Sequence, residues 1–492
     1  MVDNLRPRRY SEKVFAGHLG LVLVLLQATP SANRDNSLIQ QDIQAGHYRE
    51  ARQKLLREAI SFPQDVGLWR LLGELDIRLR DTDAAIAAFR KVRSLRPRDA
   101  RVYFNLGVLY MGKGVTDEAL KMYSQGLALD PSNDEAIQNY AFLLMQAGKS
   151  CEAVTALQRL KGIRREDLTV RVSLIESLLK CGDEQAGKGE LEGFLQWPSV
   201  TIEDQMKLAK VLAQDHLLEA AEETLENVSR TSPDFAEAHA DLGLLLLEKS
   251  QFEDAARQLG QAVQLAPNSA EYSMGLAHVL LKAKQYPTAL EFLKAVKDRF
   301  GMLPEYQYKL AWSYYGLGQV PQAAEQLEAL VQQHPELDRV HYSLGDCYVA
   351  LGRLPEAETE YRRAIALNPK KGSYHAALGQ VLRKEGKDGV DEAIVELEKA
   401  RQLDPSNLET WVQLALCYEQ KAEFLKAERL LEGTVRQQPS LLAAHRVLAR
   451  VYYAQGKKEQ GDRESGIVSK LDSEESRRRA QMTDSKAPES FQ

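Results

Sequence analysis

Two hydrophobic stripes recur along most of this chain at a period of 34 residues. Units are cut to begin near 32, 66, 100, 134, 168, 202, 236, 270, 304, 338, 372, 408 and 442. The seventh position is then Leu in twelve of thirteen, among them Leu38, Leu72, Leu106, Leu242, Leu344 and Leu448. The eighth is Gly or Ala in eleven (Gly73, Gly107, Gly345, Gly379), and the twentieth is Ala in eleven (Ala51, Ala85, Ala119, Ala357). The twenty-fourth is large and apolar in twelve. Apolar positions 7, 8 and 11, then 20, 24 and 27, trace two faces of period 3.6, so each unit is predicted to be a pair of helices. A turn containing Gly114, Gly148, Gly318 or Gly352 separates the two stripes. Small residues at the eighth and twentieth positions would let the paired helices approach closely.

Prolines keep the same beat. Pro63, Pro97 and Pro131 are 34 apart, and Pro233, Pro267, Pro335 and Pro369 hold the phase at multiples of 34. Pro405 follows after 36, the two extra residues falling in Gly386-Lys387-Asp388-Gly389, and Pro439 after another 34. Proline at the end of a unit stops the second helix. Pro287, Pro321 and Pro355 share the eighteenth position, where a first-turn proline loses no hydrogen bond. One helix pair can bury only part of its apolar surface, so neighbours must stack into an α-solenoid.

The stretch Tyr103-Phe104-Asn105-Leu106-Gly107-Val108-Leu109-Tyr110, with Glu118-Ala119, Tyr123 and Asp130-Pro131, closely resembles the tetratricopeptide repeat family. The resemblance covers roughly 440 residues. It implies an all-α fold: a right-handed superhelix of about 12–13 helix-turn-helix repeats spanning residues 32–475, the last a degenerate cap. The repeats are unequal. Arg165 stands where a proline is due, and the fifth repeat carries Gly187, Gly189 and Gly193 in its second helix. Each such glycine costs about 1 kcal/mol relative to Ala. Residues 182–200 are therefore expected to be the softest joint of the array.

Composition then narrows the function. Among 492 residues, 64 are Lys or Arg and 70 are Asp or Glu, a net charge of −6 that argues against a nucleic-acid backbone as the main partner. Four cysteines exclude a disulfide scaffold. Cys347 and Cys417, both at the tenth position of a first helix, read as buried free thiols. Cys151 begins one second helix and Cys181 ends the next first helix, which puts both on one edge of adjacent repeats. In an exported protein that edge would permit a disulfide. Residues 1–31 point the same way. Arg6, Arg8, Arg9 and Lys13 precede the apolar stretch Val14 to Leu26, and small residues follow from Ala28. These are the parts of an export signal, cleaved or retained as an anchor, with a plain N-terminal helix as the alternative. The expected location is periplasmic or extracellular. Residues 476–492 read as a disordered tail, with Glu459–Leu471 as a charged cap.

Catalytic and cofactor motifs do not survive inspection. Gly148-Lys149-Ser150 lacks the earlier glycine of a phosphate-binding loop, since Leu143 stands there. His239, His341, His375 and His445 all occupy the fourth position, which Trp69 and Trp411 fill elsewhere, so they read as packing residues rather than metal ligands. No segment outside the repeats is long enough for a catalytic domain. The expectation is no enzyme, no cofactor and no metal.

The family resemblance implies that first helices line a concave groove through their second, fifth, ninth and twelfth positions. Here those include Leu244 and Leu247, then Met274, His278 and Leu281, then Tyr308, Trp312 and Tyr315, and Tyr342, Asp346 and Val349. A second group is Phe104, Val108, Met111, Phe142 and Met145. Aromatic and Met side chains in a groove are the anchors expected for peptides. The carboxylate clamp of heat-shock co-chaperones is absent, because Glu74 and Glu135 stand at its positions. The expected function is a non-enzymatic scaffold for other proteins or peptides. The alternatives are an envelope factor whose aromatic groove stacks on polysaccharide and a regulatory subunit of an enzyme complex.

Overall fold

The computed structural model describes residues 37–160, 167–384, 386 and 389–484; the export-signal reading of residues 1–31 lies outside them. The described residues form 27 α-helices and no strand. Among them no helix is long and apolar enough to cross a membrane. The chain divides into two compact units at Leu245.

The N-terminal unit holds α1 (Ser37–Gln44), α2 (Tyr48–Ser61), α3 (Val66–Arg78), α4 (Thr82–Leu95), α5 (Ala100–Gly112) and α6 (Thr116–Leu129). It continues through α7 (Asp134–Gln146), α8 (Ser150–Leu157), α9 (Leu168–Cys181), α10 (Glu184–Leu195), α11 (Ile202–Gln214) and α12 (Leu218–Thr231). The division falls within α13 (Ala236–Glu248). The C-terminal unit holds α14 (Phe252–Leu265), α15 (Ala270–Lys282), α16 (Tyr286–Ala295), α17 (Lys297–Phe300), α18 (Pro304–Gly316), α19 (Val320–Gln333) and α20 (Asp338–Ala350). It ends with α21 (Leu354–Leu367), α22 (Gly372–Lys384), α23 (Val390–Leu403), α24 (Leu408–Gln420), α25 (Phe424–Gln437), α26 (Leu442–Ala454) and α27 (Lys458–Asp484). Within each unit the helices pack pairwise with their chain neighbours, the arrangement of an α-solenoid.

The backbone repeats as strictly as the sequence. A residue with positive φ closes the turn of every repeat at its fifteenth position: eight glycines, including Gly114 (φ 73°) and Gly352 (φ 77°), and five others. Those five are Arg80, His216, Ser250, Lys284 and Ala422, at φ 58–61°. The left-handed bend is thus a property of the helix pair. Glycine only relieves the steric cost, about 1–2 kcal/mol for an L-residue.

Close approach of the paired helices has a definite donor and acceptor. The eighth-position glycine leaves a hollow that the twenty-fourth side chain fills. A Cβ on Gly107 would lie 2.7 Å from the Tyr123 ring, and one on Gly345 would lie 2.5 Å from Tyr361. Tyr123 is 0% exposed and Tyr361 2%, and burying such a ring stabilises by about 1.5–3 kcal/mol. The twentieth-position alanines Ala51, Ala85, Ala119, Ala255, Ala357 and Ala427 are all 0% exposed, confirming the contact stripe.

The unit-ending prolines have a second use. Their carbonyls accept hydrogen bonds from the fourth residue of the next repeat: Trp69 Nε1 to Pro63 (3.1 Å), Tyr103 Oη to Pro97 (3.0 Å) and the His239 ring to Pro233 (3.0 Å). Nε2 of His341, His375 and His445 donates in the same way to Pro335, Pro369 and Pro439, each at 3.0 Å. Nδ1 of these three rings meets Glu360, Glu396 and Glu464 on the second helix of the same repeat. The recurring histidines fill a buried packing position and also tie three segments together.

Four features differ from the sequence reading. Leu38, at the seventh position of the first repeat, is 64% exposed where the other repeats bury this leucine wholly or in part. The eighth repeat breaks its second helix at Val296, dividing it into α16 and α17, where Gly301 replaces the comb proline. The fourth repeat's second helix, α8, has 8 residues where most have 14. The tail expected from residue 476 instead continues α27 to Asp484, in keeping with the helix-favouring Glu, Arg and Ala of this stretch. Residues 485–492 lie outside the described residues. The Gly-rich helix α10 is continuous, with Gly187 pressed against Leu179 and open space beside Gly189.

Cys151 and Cys181 form a disulfide that joins the first turn of the shortened α8 to the end of α9, with a Cα–Cα separation of 5.0 Å. Cys347 and Cys417 are free and buried.

Candidate functional site

The aromatic group of the C-terminal unit is built on three first helices. Tyr308, Trp312 and Tyr315 recur at one-turn intervals on α18 and so share one face. α15 contributes His278 and, four residues on, Lys282; α20 contributes Arg339, Tyr342 and Asp346.

These side chains engage one another across the helices. The His278 ring lies 6.0 Å from Trp312, and Lys282 Nζ sits 5.7 Å from the Trp312 ring centre. The Arg339 guanidinium lies 4.9 Å from the Tyr308 ring, and the Tyr308 hydroxyl meets Ser343 Oγ at 3.0 Å. Tyr342 stacks on Tyr374 of α22 at 5.0 Å and lies 5.7 Å from Tyr361. The Tyr361 hydroxyl donates to Asp346 Oδ1 at 2.7 Å.

Burial sets the protonation of the group. It lowers the His278 imidazole to about 4, assisted by the nearby Lys309 and Lys282 ammonium groups, so the ring is neutral at pH 7. It raises the Asp346 carboxyl to about 6 against the opposing bond from Tyr361, and the Tyr342 phenol to about 12. Lys309, only 6% exposed, is lowered by burial and held by Glu305 at 3.2 Å.

The residues picked from the sequence divide by exposure. Tyr315 is 42% exposed and Leu244 36%; Leu247, His278, Tyr308, Trp312, Tyr342, Asp346 and Val349 are half-buried. Met274 and Leu281 are not open to a partner, being 3% and 1% exposed. Met274 joins the buried cluster of Ala277, Leu293 and Tyr306, and Leu281 that of Leu280 and Ala289, so both belong to the core where α15 meets α16 and α18. In the N-terminal unit Phe104, Val108, Met111, Phe142 and Met145 are half-buried. Phe104 covers Gly126 of α6, whose Cβ would collide with its ring, so much of that side chain serves helix packing.

Three contributors escaped sequence reasoning. Lys282 follows His278 by one turn, a spacing that places it on the same face, and Arg339 holds a second position. Tyr374 occupies the third position of its repeat and joins only because Tyr342 reaches across to it.

Parts of the chain are similar to known proteins. Two models of the tetratricopeptide repeat match the chain, one over residues 70–134 and 308–372, the other over 110–178, 246–312 and 390–451. The cytochrome c-type biogenesis protein CycH of Rhizobium meliloti is 38% identical over 101 residues, 20% of this chain and 26% of that protein. Superkiller protein 3 of Schizosaccharomyces pombe is 27% identical over 118 residues, 24% of this chain and 8% of that protein. The chain thus spans about a quarter or less of the length of these relatives. Among solved structures, yeast Tom70 is similar with a TM-score of 0.41 at 15% identity, covering 84% of this chain and 96% of that one. Repeat period, paired-helix packing and family matches agree, and this chain belongs to the tetratricopeptide repeat family.

Proposed function

We propose that the protein is a non-enzymatic scaffold that holds partner polypeptides on the face of α15, α18 and α20. The observation that carries this reading is the aromatic row Tyr308, Trp312 and Tyr315, half-buried to exposed on one helix and flanked by His278 and Tyr342. Rings fixed by their neighbours lose little freedom on binding and supply large contact areas, as at interface hot spots. Leu247 on α13 adds apolar surface at the repeat position of Tyr315, and Leu244, Phe104, Val108 and Phe142 offer a separate, smaller set in the N-terminal unit. Binding would gather modest contributions from successive repeats.

The export reading of residues 1–31 belongs to this proposal. The Cys151–Cys181 disulfide supports it, since such bonds persist in oxidising compartments outside the cytosol.

The test is affinity purification of the chain, wild type and with Trp312→Ala and Tyr315→Ala together, followed by mass spectrometry and a thermal melt. A partner recovered by the wild type and lost from the variant, with the melting midpoint unchanged, is the expected result. A lower midpoint, or a partner held equally by both, counts against the face.

A further inference from the structure

The face of α15, α18 and α20 carries positive charge that the fold does not use. Lys282 reaches over Trp312 from one neighbouring helix and Arg339 over Tyr308 from the other. Those rings are four residues apart on α18, about 6 Å along its axis. Neither cation makes a salt bridge among the described residues. Asp338, beside Arg339 in the chain, accepts from Asn368 and the Tyr374 hydroxyl, and the Asp346 carboxyl lies seven residues from Arg339 on α20, about 10 Å along its axis. Lys309 is buried against Glu305, and Asp346 accepts the Tyr361 hydroxyl. His278 contributes no charge at neutral pH. Glu271, at the opposite end of α15, is about 16 Å from Lys282 along the helix, beyond the screening length of about 8 Å in physiological salt. In a chain of net charge −6, this face presents two cations without a salt-bridge partner among the described residues, each set over a half-buried ring.

We infer that the partner segment this face accepts is an acidic peptide. Its carboxylates meet Lys282 and Arg339, and its apolar side chains lie on Trp312 and Tyr308. This rests on the peptide-binding role proposed for the face and names the partner's chemistry. Stacking on aromatic rings holds each cation in place before the partner arrives, which lowers the ordering cost of binding. The Arg339 guanidinium can take a carboxylate through two parallel hydrogen bonds, and the compact Lys282 ammonium acts as a point charge. A basic peptide would bring like charge against both at the centre of the contact, which selects against it. The arrangement is distinct from the carboxylate clamp that the sequence lacks, because Lys282 and Arg339 hold the thirteenth and second positions of their repeats.

The test pans a phage-displayed random peptide library on the immobilised full chain. The winners are then measured as synthetic peptides against three variants: Lys282→Glu with Arg339→Glu, Lys282→Arg with Arg339→Lys, and Trp312→Ala. The expected winners are rich in Asp and Glu beside Leu, Phe or Trp. They should bind the charge-reversed chain about tenfold or more weakly, keep binding to the charge-conserving chain, and weaken in high salt. Neutral or basic winners, or acidic winners indifferent to charge reversal, overturn this inference. If such winners still need Trp312, the peptide-binding reading survives without it. If no peptide is recovered, or none depends on Trp312, both readings fall. Should charge reversal lower the melting midpoint, Lys282→Gln with Arg339→Gln is measured in its place, with the same loss expected.

Discussion

Asp346 offers a sharp quantitative test, because one substitution separates its charge from its shape. The carboxyl lies on α20 and accepts the Tyr361 hydroxyl. The groups that face it are Tyr361, Tyr342, Tyr315 and Cys347, whose own protons burial holds more tightly than usual. No cation offsets its charge, and burial raises its pKa from 3.8 to about 6. The folded chain therefore binds this proton more tightly than the unfolded chain. Stability from this group is full below about pH 4, falls as pH rises to about 6, and stays low above. A shift of about two units corresponds to about 3 kcal/mol at neutral pH. Asn at this position keeps the acceptor oxygen for Tyr361 and cannot ionise. Asp346→Asn is expected to stabilise the C-terminal unit by about 2–3 kcal/mol near pH 7.5, with the gain vanishing near pH 3.5. Urea unfolding followed by far-UV circular dichroism reads the change. Hydrogen exchange of α20 and α21 amides localises it, since repeat arrays need not unfold as one. Equal or lower stability near pH 7.5, or the same increment at both pH values, would refute the reasoning.

Three further outcomes are expected. Replacing Cys151 and Cys181 by Ser opens a link spanning 30 residues and should cost about 3–4 kcal/mol, seen as faster exchange confined to α8 and α9; the unreduced wild type should show two free thiols, not four. His375→Ala removes the ties to Glu396 and the Pro369 carbonyl and leaves partly buried acceptors short of a donor, a loss of about 1–3 kcal/mol by urea unfolding, whereas a loss under about 0.5 kcal/mol would mean the ring only fills space. Amides of α10 should exchange faster than those of α14, because α10 carries Gly187, Gly189 and Gly193 against the single Gly260 of α14, and each glycine costs a helix about 1 kcal/mol; equal protection would show that the close fit of Gly187 outweighs its glycine content.

Repetition is what made the architecture readable. A single Gly107 says little, but Gly or Ala at one position of eleven repeats defines a packing site, and Tyr123 and Tyr361 fill the hollow where it is glycine. The left-handed turn was legible only where glycine marks it; at Arg80, His216, Ser250, Lys284 and Ala422 the geometry is imposed by the helix pair and leaves no local trace. The candidate site was half legible. Repeat position indicates which side of a helix a residue occupies, and it found Trp312 and Tyr315. Position cannot say how far a neighbour closes over that side, so Met274 and Leu281 looked open and are buried. Lys282 and Arg339 were missed because their meaning lies in contacts with rings on a different helix. The recurring fourth-position histidines suggested packing, and the proline carbonyls they bond were invisible without the backbone.

The central claim is that partner polypeptides lie on the first helices of the C-terminal unit. Hydrogen exchange of the full chain with and without a captured partner or selected peptide tests it most directly. The account predicts protection concentrated on α15, α18 and α20, abolished by Trp312→Ala together with Tyr315→Ala. Protection falling instead on second helices such as α19 and α21, with those three first helices unchanged, would contradict it.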